Sequence, residues 1–94
     1  MIRSREKVYE GARNIELVVD TGSDLSNATI LEIHVLNPNG EEIVWTATEH
    51  SDSGCLSYTI QPDDLLLPGI YKFQAYVDGN LGETDSFNVH EKYS

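Results

Sequence analysis

The sequence predicts an all-β fold, a sandwich of two antiparallel sheets with six to seven strands in total. Three observations point there. Apolar and polar residues alternate with period two in short segments, turn residues separate those segments, and no stretch of eleven or more residues sustains a 3.6-residue period. A chain of 94 residues has enough material for one core and not for two, so a single domain is expected.

Six segments alternate clearly, and a short seventh strand is expected around Lys7 to Tyr9. The first clear strand turns Ile15, Leu17 and Val19 inward and Glu16, Val18 and Asp20 outward. The second buries Leu31, Ile33 and Val35; the third buries Ile43, Trp45 and Ala47 in one run that continues to Thr48. Leu56, Tyr58 and Ile60 mark the fourth, Tyr71, Phe73, Ala75 and Val77 the fifth, and Phe87 with Val89 the last.

The punctuation between them predicts the pairings. Asn37-Pro38-Asn39-Gly40 sets proline where a type I turn fixes φ and glycine where a left-handed residue closes a hairpin, joining the second strand to the third. Ser51-Asp52-Ser53-Gly54 is expected to join the third to the fourth, and Asp78-Gly79-Asn80 the fifth to the last. Residues 21–28 and 61–69 are too long for tight hairpins and read as crossings from one sheet to the other.

The segment Leu65-Leu66-Leu67-Pro68-Gly69-Ile70-Tyr71-Lys72-Phe73 refines the fold class. In immunoglobulin-like sandwiches a tyrosine near the start of a late strand turns its hydroxyl back to the upstream backbone, and a buried residue follows two positions on. Tyr71 and Phe73 fit that arrangement, and Trp45 is the candidate for the large aromatic between the sheets. The plainer reading makes Tyr71 an ordinary amphipathic core residue after a Pro-Gly loop end. Where antibody domains carry a disulfide between sheets, apolar contact is expected here, for instance Ile33 against Phe73. The structural core is thus expected to include Ile33, Trp45, Tyr71 and Phe73.

Charge is uneven along the chain. Sixteen acids against six Lys and Arg give a net charge of −10, and the sequence pI is about 4.4. Residues 1–13 hold Arg3, Arg5, Lys7 and Arg13 against Glu6 and Glu10; beyond them only Lys72 and Lys92 oppose fourteen carboxylates. Phosphate-backbone binding rests on Lys and Arg, so nucleic acid is not an expected partner. Two readings of the basic terminus stand: a frayed end, or an arm (residues 1–7, with Arg13 beyond it) that lies on an acidic surface of its own chain or a neighbour's. The expected division is therefore arm 1–7, sandwich 8–90 and tail 91–94. No apolar stretch follows the basic terminus and Leu65-Leu66-Leu67 is the longest aliphatic run, so neither a secretion signal nor a membrane span is expected.

Candidate chemistry is sparse. Asp20-Thr21-Gly22-Ser23-Asp24 spaces two carboxylates as at the start of a calcium loop, but lacks the third oxygen ligand and the terminal glutamate, which favours a plain turn. Asp63-Asp64 reads as the cap of a short helical turn rather than an acid/base pair. His34, His50 and His90 have no partner at recognisable spacing and read as solvated. The single Cys55 has no positive neighbour to activate it and no second cysteine to bridge. Asn27-Ala28-Thr29 matches a glycosylation sequon by chance where no secretion signal is expected. No catalytic constellation and no cofactor site are read, and the chain is expected to be non-enzymatic.

The run from Ile15 to Thr29 with its Asp20-Thr21-Gly22-Ser23-Asp24 turn, the Asn37-Pro38-Asn39-Gly40 turn followed by Trp45, and Gly69-Ile70-Tyr71-Lys72-Phe73-Gln74-Ala75-Tyr76-Val77 resemble the small immunoglobulin-like proteins encoded in tailed-phage structural gene clusters. The chain is also similar to the N-terminal domain of phage baseplate upper proteins, over roughly residues 8–90. The resemblance implies a virion component, assembled in the host cytoplasm, that docks on capsid, tail or baseplate. It implies other virion proteins as partners, a homo-oligomer among the expected assemblies, and no catalytic residues. The alternative is a carbohydrate- or cell-surface-binding module that stacks ligands on Trp45, Tyr58 or Tyr76.

Overall fold

The computed structural model describes residues 8–50 and 54–92. Among them the chain forms nine strands and no helix: β1 (Val8–Tyr9), β2 (Glu16–Asp20), β3 (Leu31–Leu36), β4 (Glu42–Thr46), β5 (Thr48–Glu49), β6 (Cys55–Thr59), β7 (Gly69–Val77), β8 (Asn80–Leu81) and β9 (Asp85–His90). They make two sheets packed together. One runs β1-β9-β7-β3-β4 with β8 also on β7; the other runs β2-β6-β5. The all-β sandwich is as the alternation predicts.

Both predicted crossings pass between the sheets, residues 21–30 from β2 to β3 and residues 60–68 from β6 to β7. The Asn37 turn joins β3 to β4 with Ile33 opposite Trp45 and Val35 opposite Ile43. Asn37 organises it: its Oδ1 accepts the N–H groups of Asn39 (3.0 Å) and Glu41 (2.9 Å), and Gly40 takes a φ of +83°.

Strand number and pairing depart from expectation in three places. The predicted third strand is two. Its first part, β4, stays beside β3; the chain turns at Ala47, and β5 pairs instead with β6 in the other sheet. Ala47 is 6% exposed and its N–H donates to the Leu31 carbonyl, so the corner sits against the core, where a side chain of one methyl leaves room for it. The predicted final hairpin is also interrupted. Leu81 lies opposite Tyr76 but Asp85 opposite Phe73, which leaves one extra residue between β8 and β9. Gly82 bridges the interruption, donating to the Ala75 carbonyl and accepting from the Gln74 side chain. Finally, the sandwich is not wholly antiparallel, because β1 runs parallel to β9 with Val8 beside Val89.

The core lies between the layers. Ile33, Trp45, Tyr71 and Phe73 are all buried, the least covered of them being Trp45 at 3% exposure. Leu17, Val19 and Leu56 face them from the smaller sheet, and Leu25 and Leu65 enter from the two crossings. Ile33 and Phe73 do not meet across the sandwich. They lie on adjacent strands of one sheet, with Phe73 opposite Val35. The aromatic that does span the layers is Trp45, stacked on Tyr58 of β6 at 4.6 Å between ring centres. Tyr71 behaves as the corner reading expects: its hydroxyl donates to the Leu67 carbonyl at 2.8 Å, and burial pushes its phenol pKa up.

Candidate docking surfaces

Strand edges and outer faces are what this scaffold offers to other molecules. The clearest edge belongs to β2. In an antiparallel pair alternate residues exchange backbone hydrogen bonds with the partner. Thr21 donates to Gly54 and Ile60 donates to Ile15, which places the odd-numbered residues of β2 in the bonded positions. Glu16, Val18 and Asp20 consequently direct their N–H and C=O groups away from β6. Among the described residues no strand lies on that side.

Beside this edge the two sheets stand apart. A groove of about 970 Å³ runs between residues 19–23 and residues 80–85. Its apolar floor comes from Val19, Phe73, Ala75 and Val77, and its rim carries Asp20, Asp78, Glu83 and Asp85. No lysine or arginine lines it among the described residues. The walls are built by their own turns. Asp20 Oδ1 accepts the Gly22 N–H, Thr21 Oγ1 donates to the Gly54 carbonyl at 2.7 Å, and Asp85 Oδ1 accepts the Ser86 N–H. Asp78 ties the groove to the first crossing by accepting the N–H groups of Ile30 (2.7 Å) and Thr29 (3.0 Å) and the Thr29 hydroxyl. Those donors favour the ionised carboxylate, so the Asp78 pKa is lowered, first by Ile30 and then by Thr29.

The outer faces carry smaller features. On the larger sheet His34 stacks on Tyr76 at 4.4 Å and its Nε2 lies 3.1 Å from Glu32 Oε1, beside the exposed Val44. On the smaller sheet Val18 and Cys55 are each 3% exposed although they point away from the core. His50 Nε2 lies 3.6 Å from Glu16 Oε1 on that face, and Ser57 donates to Glu16 Oε2. His90 tilts against Tyr9. The three histidines therefore each have an aromatic or carboxylate neighbour and are not simply solvated.

Of the residues the sequence singles out, Arg13 is exposed, whereas Arg3, Arg5 and Lys7 lie outside the described residues. Trp45 is no stacking platform, being buried against Tyr58, whose hydroxyl donates to Asp64 Oδ2 at 2.6 Å. Burial first, and then Asp64, raise the Tyr58 pKa. Asp64 also accepts the Gln61 N–H while its own N–H donates to the Gln61 carbonyl, so it closes a short turn by reaching back to its start. Asp24 is spent in the same way on the Ser26 N–H, which lowers its pKa. No group of three or more His, Cys, Asp and Glu side chains placed to hold a metal ion occurs among the described residues. Sequence reasoning missed the β2 edge and the groove, because an unpaired edge depends on what is not beside a strand. The acidic turns at Asp20 and Asp78 were its only visible trace. In comparisons with models of known protein families, with curated proteins and with solved structures, the chain matches none.

Proposed function

We propose that this chain is a non-enzymatic structural domain of a tailed-phage virion that docks on capsid, tail or baseplate proteins through its strand edges and loops. The observation that carries the reading is the edge of β2, on which no strand pairs among the described residues, beside an apolar-floored groove. Edges of this kind add strands from partner chains, and natural folds usually blunt them when they have no such use. The resemblance of the turn and core segments to small phage immunoglobulin-like proteins supplies the setting. The carboxylates of the candidate turns are engaged by neighbouring backbone N–H groups, which suits scaffolding better than acid/base chemistry. The strongly acidic body would keep free copies from associating indiscriminately before assembly.

The test is to purify virions produced in the presence of an epitope-tagged chain and to quantify it by mass spectrometry and antibody labelling. A fixed copy number per particle is expected, and a chain left wholly in the soluble fraction would overturn the reading. Deleting residues 1–7 is expected to leave the circular dichroism spectrum unchanged and to lower incorporation. Equal incorporation of the shortened chain would remove the basic arm's part in docking.

A further inference from the structure

We infer that β4 is a self-association edge, through which two copies of this chain pair antiparallel and join their larger sheets into one. The inference concerns this chain alone and does not depend on the virion reading. Within one copy Asn37 donates to the Glu41 carbonyl and Ala47 to the Leu31 carbonyl, so the odd-numbered residues of β4 bond to β3. Glu42, Val44 and Thr46 therefore turn their N–H and C=O groups away from it, and among the described residues no strand lies on that side. All three are exposed, Val44 at 53%. The other edges offer less. β1, β5 and β8 have two residues each, the central Val18 of β2 is 3% exposed, and β9 is already paired in part by β1.

The sequence of β4 names the occupant. An open edge is ordinarily guarded by lysine, proline or a bulge, and Glu42-Ile43-Val44-Trp45-Thr46 carries one charge, at its first residue. Val44 is apolar at a mid-strand outward position where the same row of the sheet holds His34 and Gln74. Antiparallel pairing of two such strands about Val44 uses each of these features. Val44 faces Val44 of the second copy and Glu42 faces its Thr46, so every outward N–H and C=O of the strand finds a partner. On the inner face Ile43, only partly buried in one copy, lies beside Trp45 of the second. The two Glu42 carboxylates stay about 14 Å apart along the strands, beyond the screening length of about 8 Å at physiological salt. The contact is isologous and consumes the same edge on both sides, so it closes at two copies.

Sedimentation velocity of the full chain between about 0.01 and 1 mM should show a monomer–dimer equilibrium, as fits a contact made by one strand pair. In the ¹⁵N-labelled chain, amide exchange at Glu42, Val44 and Thr46 should slow by at least about threefold from the dilute to the concentrated end, with Ile43 and Trp45, already bonded to β3, as the reference. Val44→Pro removes one outward donor and leaves the bonds to β3 alone, and should weaken dimerisation at least about tenfold. Val44→Lys tests the same contact with the donor kept. It lowers the net charge and hence the general repulsion between copies, yet it sets two ammonium groups face to face on the axis, and should also weaken pairing at least about tenfold. Each variant is checked for an unchanged dispersed spectrum.

A chain that stays monomeric up to about 1 mM overturns the inference. So does a dimer whose newly protected amides lie elsewhere, on β9 for example, or one that Val44→Lys strengthens, since charge alone would then govern association. Species that keep growing past two copies would show head-to-tail addition and reject the two-fold pairing. Virion incorporation is scored in particles and is untouched by any of these results.

Discussion

Tyr71 shows how a single side chain can fix a turn. Its ring is buried and stacks on Phe87 at 5.4 Å, while its hydroxyl reaches four residues back to the Leu67 carbonyl. Tyr71→Phe keeps the ring and removes the bond, and is expected to cost about 0.5–1.5 kcal/mol in urea unfolding; no change would mean that water replaces the hydroxyl at no cost. Asp78 offers a pH test. Its folded pKa is lowered from the ordinary 3.8, so its contribution is present above that value and is lost as pH falls through the folded pKa. Asp78→Asn, which retains an acceptor oxygen and tolerates the positive φ of this position, should show a shallower loss of stability below about pH 4 than the parent chain. Parallel acid-denaturation curves would count against that role. Tyr71 was readable because Pro68-Gly69 marks the strand start two residues before it. Val18 was not, since its place in the alternation assigns it outward and yet it is 3% exposed. Leu25 and Leu65 were not assigned to the core either, Leu25 being a lone apolar side chain and Leu65 the first of three consecutive leucines, in segments with no period.

Among the elements, the turns were legible and the interruptions were not. The Asn37 hairpin announces itself through proline and glycine, whereas the change of sheet at Ala47 leaves the period of two intact. Trp45 and Ala47 both face the core, so the alternation reads straight through the corner. Between β8 and β9 one added residue re-registers the strand, and its mark in the sequence is Gly82. Close backbone approach is localised at Gly54, which has a φ of +82° and where an added Cβ would lie 2.8 Å from the Ser23 carbonyl oxygen. The neighbour is main chain and cannot swing aside. Gly54→Ala is expected to destabilise the protein by about 1–3 kcal/mol, and a thermal midpoint equal to the parent's would show that the first crossing is free to shift.

For the molecule as a whole, charge acts against compactness. A net −10 on 94 residues repels itself, and the described cations are few. Raising salt from about 10 to 200 mM shortens the screening length from roughly 30 to 7 Å, so the thermal midpoint should rise with sodium chloride. A flat or falling midpoint would show that local ion pairs outweigh the overall field. The sheet edges likewise belong to this scale, which is why composition alone could report the acidity but not the groove into which part of it is gathered.

The bend at Ala47 makes the two sides of the sandwich mechanically unlike. Along that side the backbone passes from one layer to the other with one residue between β4 and β5, like the spine of a book, while along β2 the layers are joined by the longer connections of residues 10–15 to β1 and residues 21–30 to β3. Breathing motions should therefore open from the fore-edge, and in native-state hydrogen exchange the amides of Leu17 and Val19 should lose protection before that of Ala47. The reverse order would place the hinge on the other side.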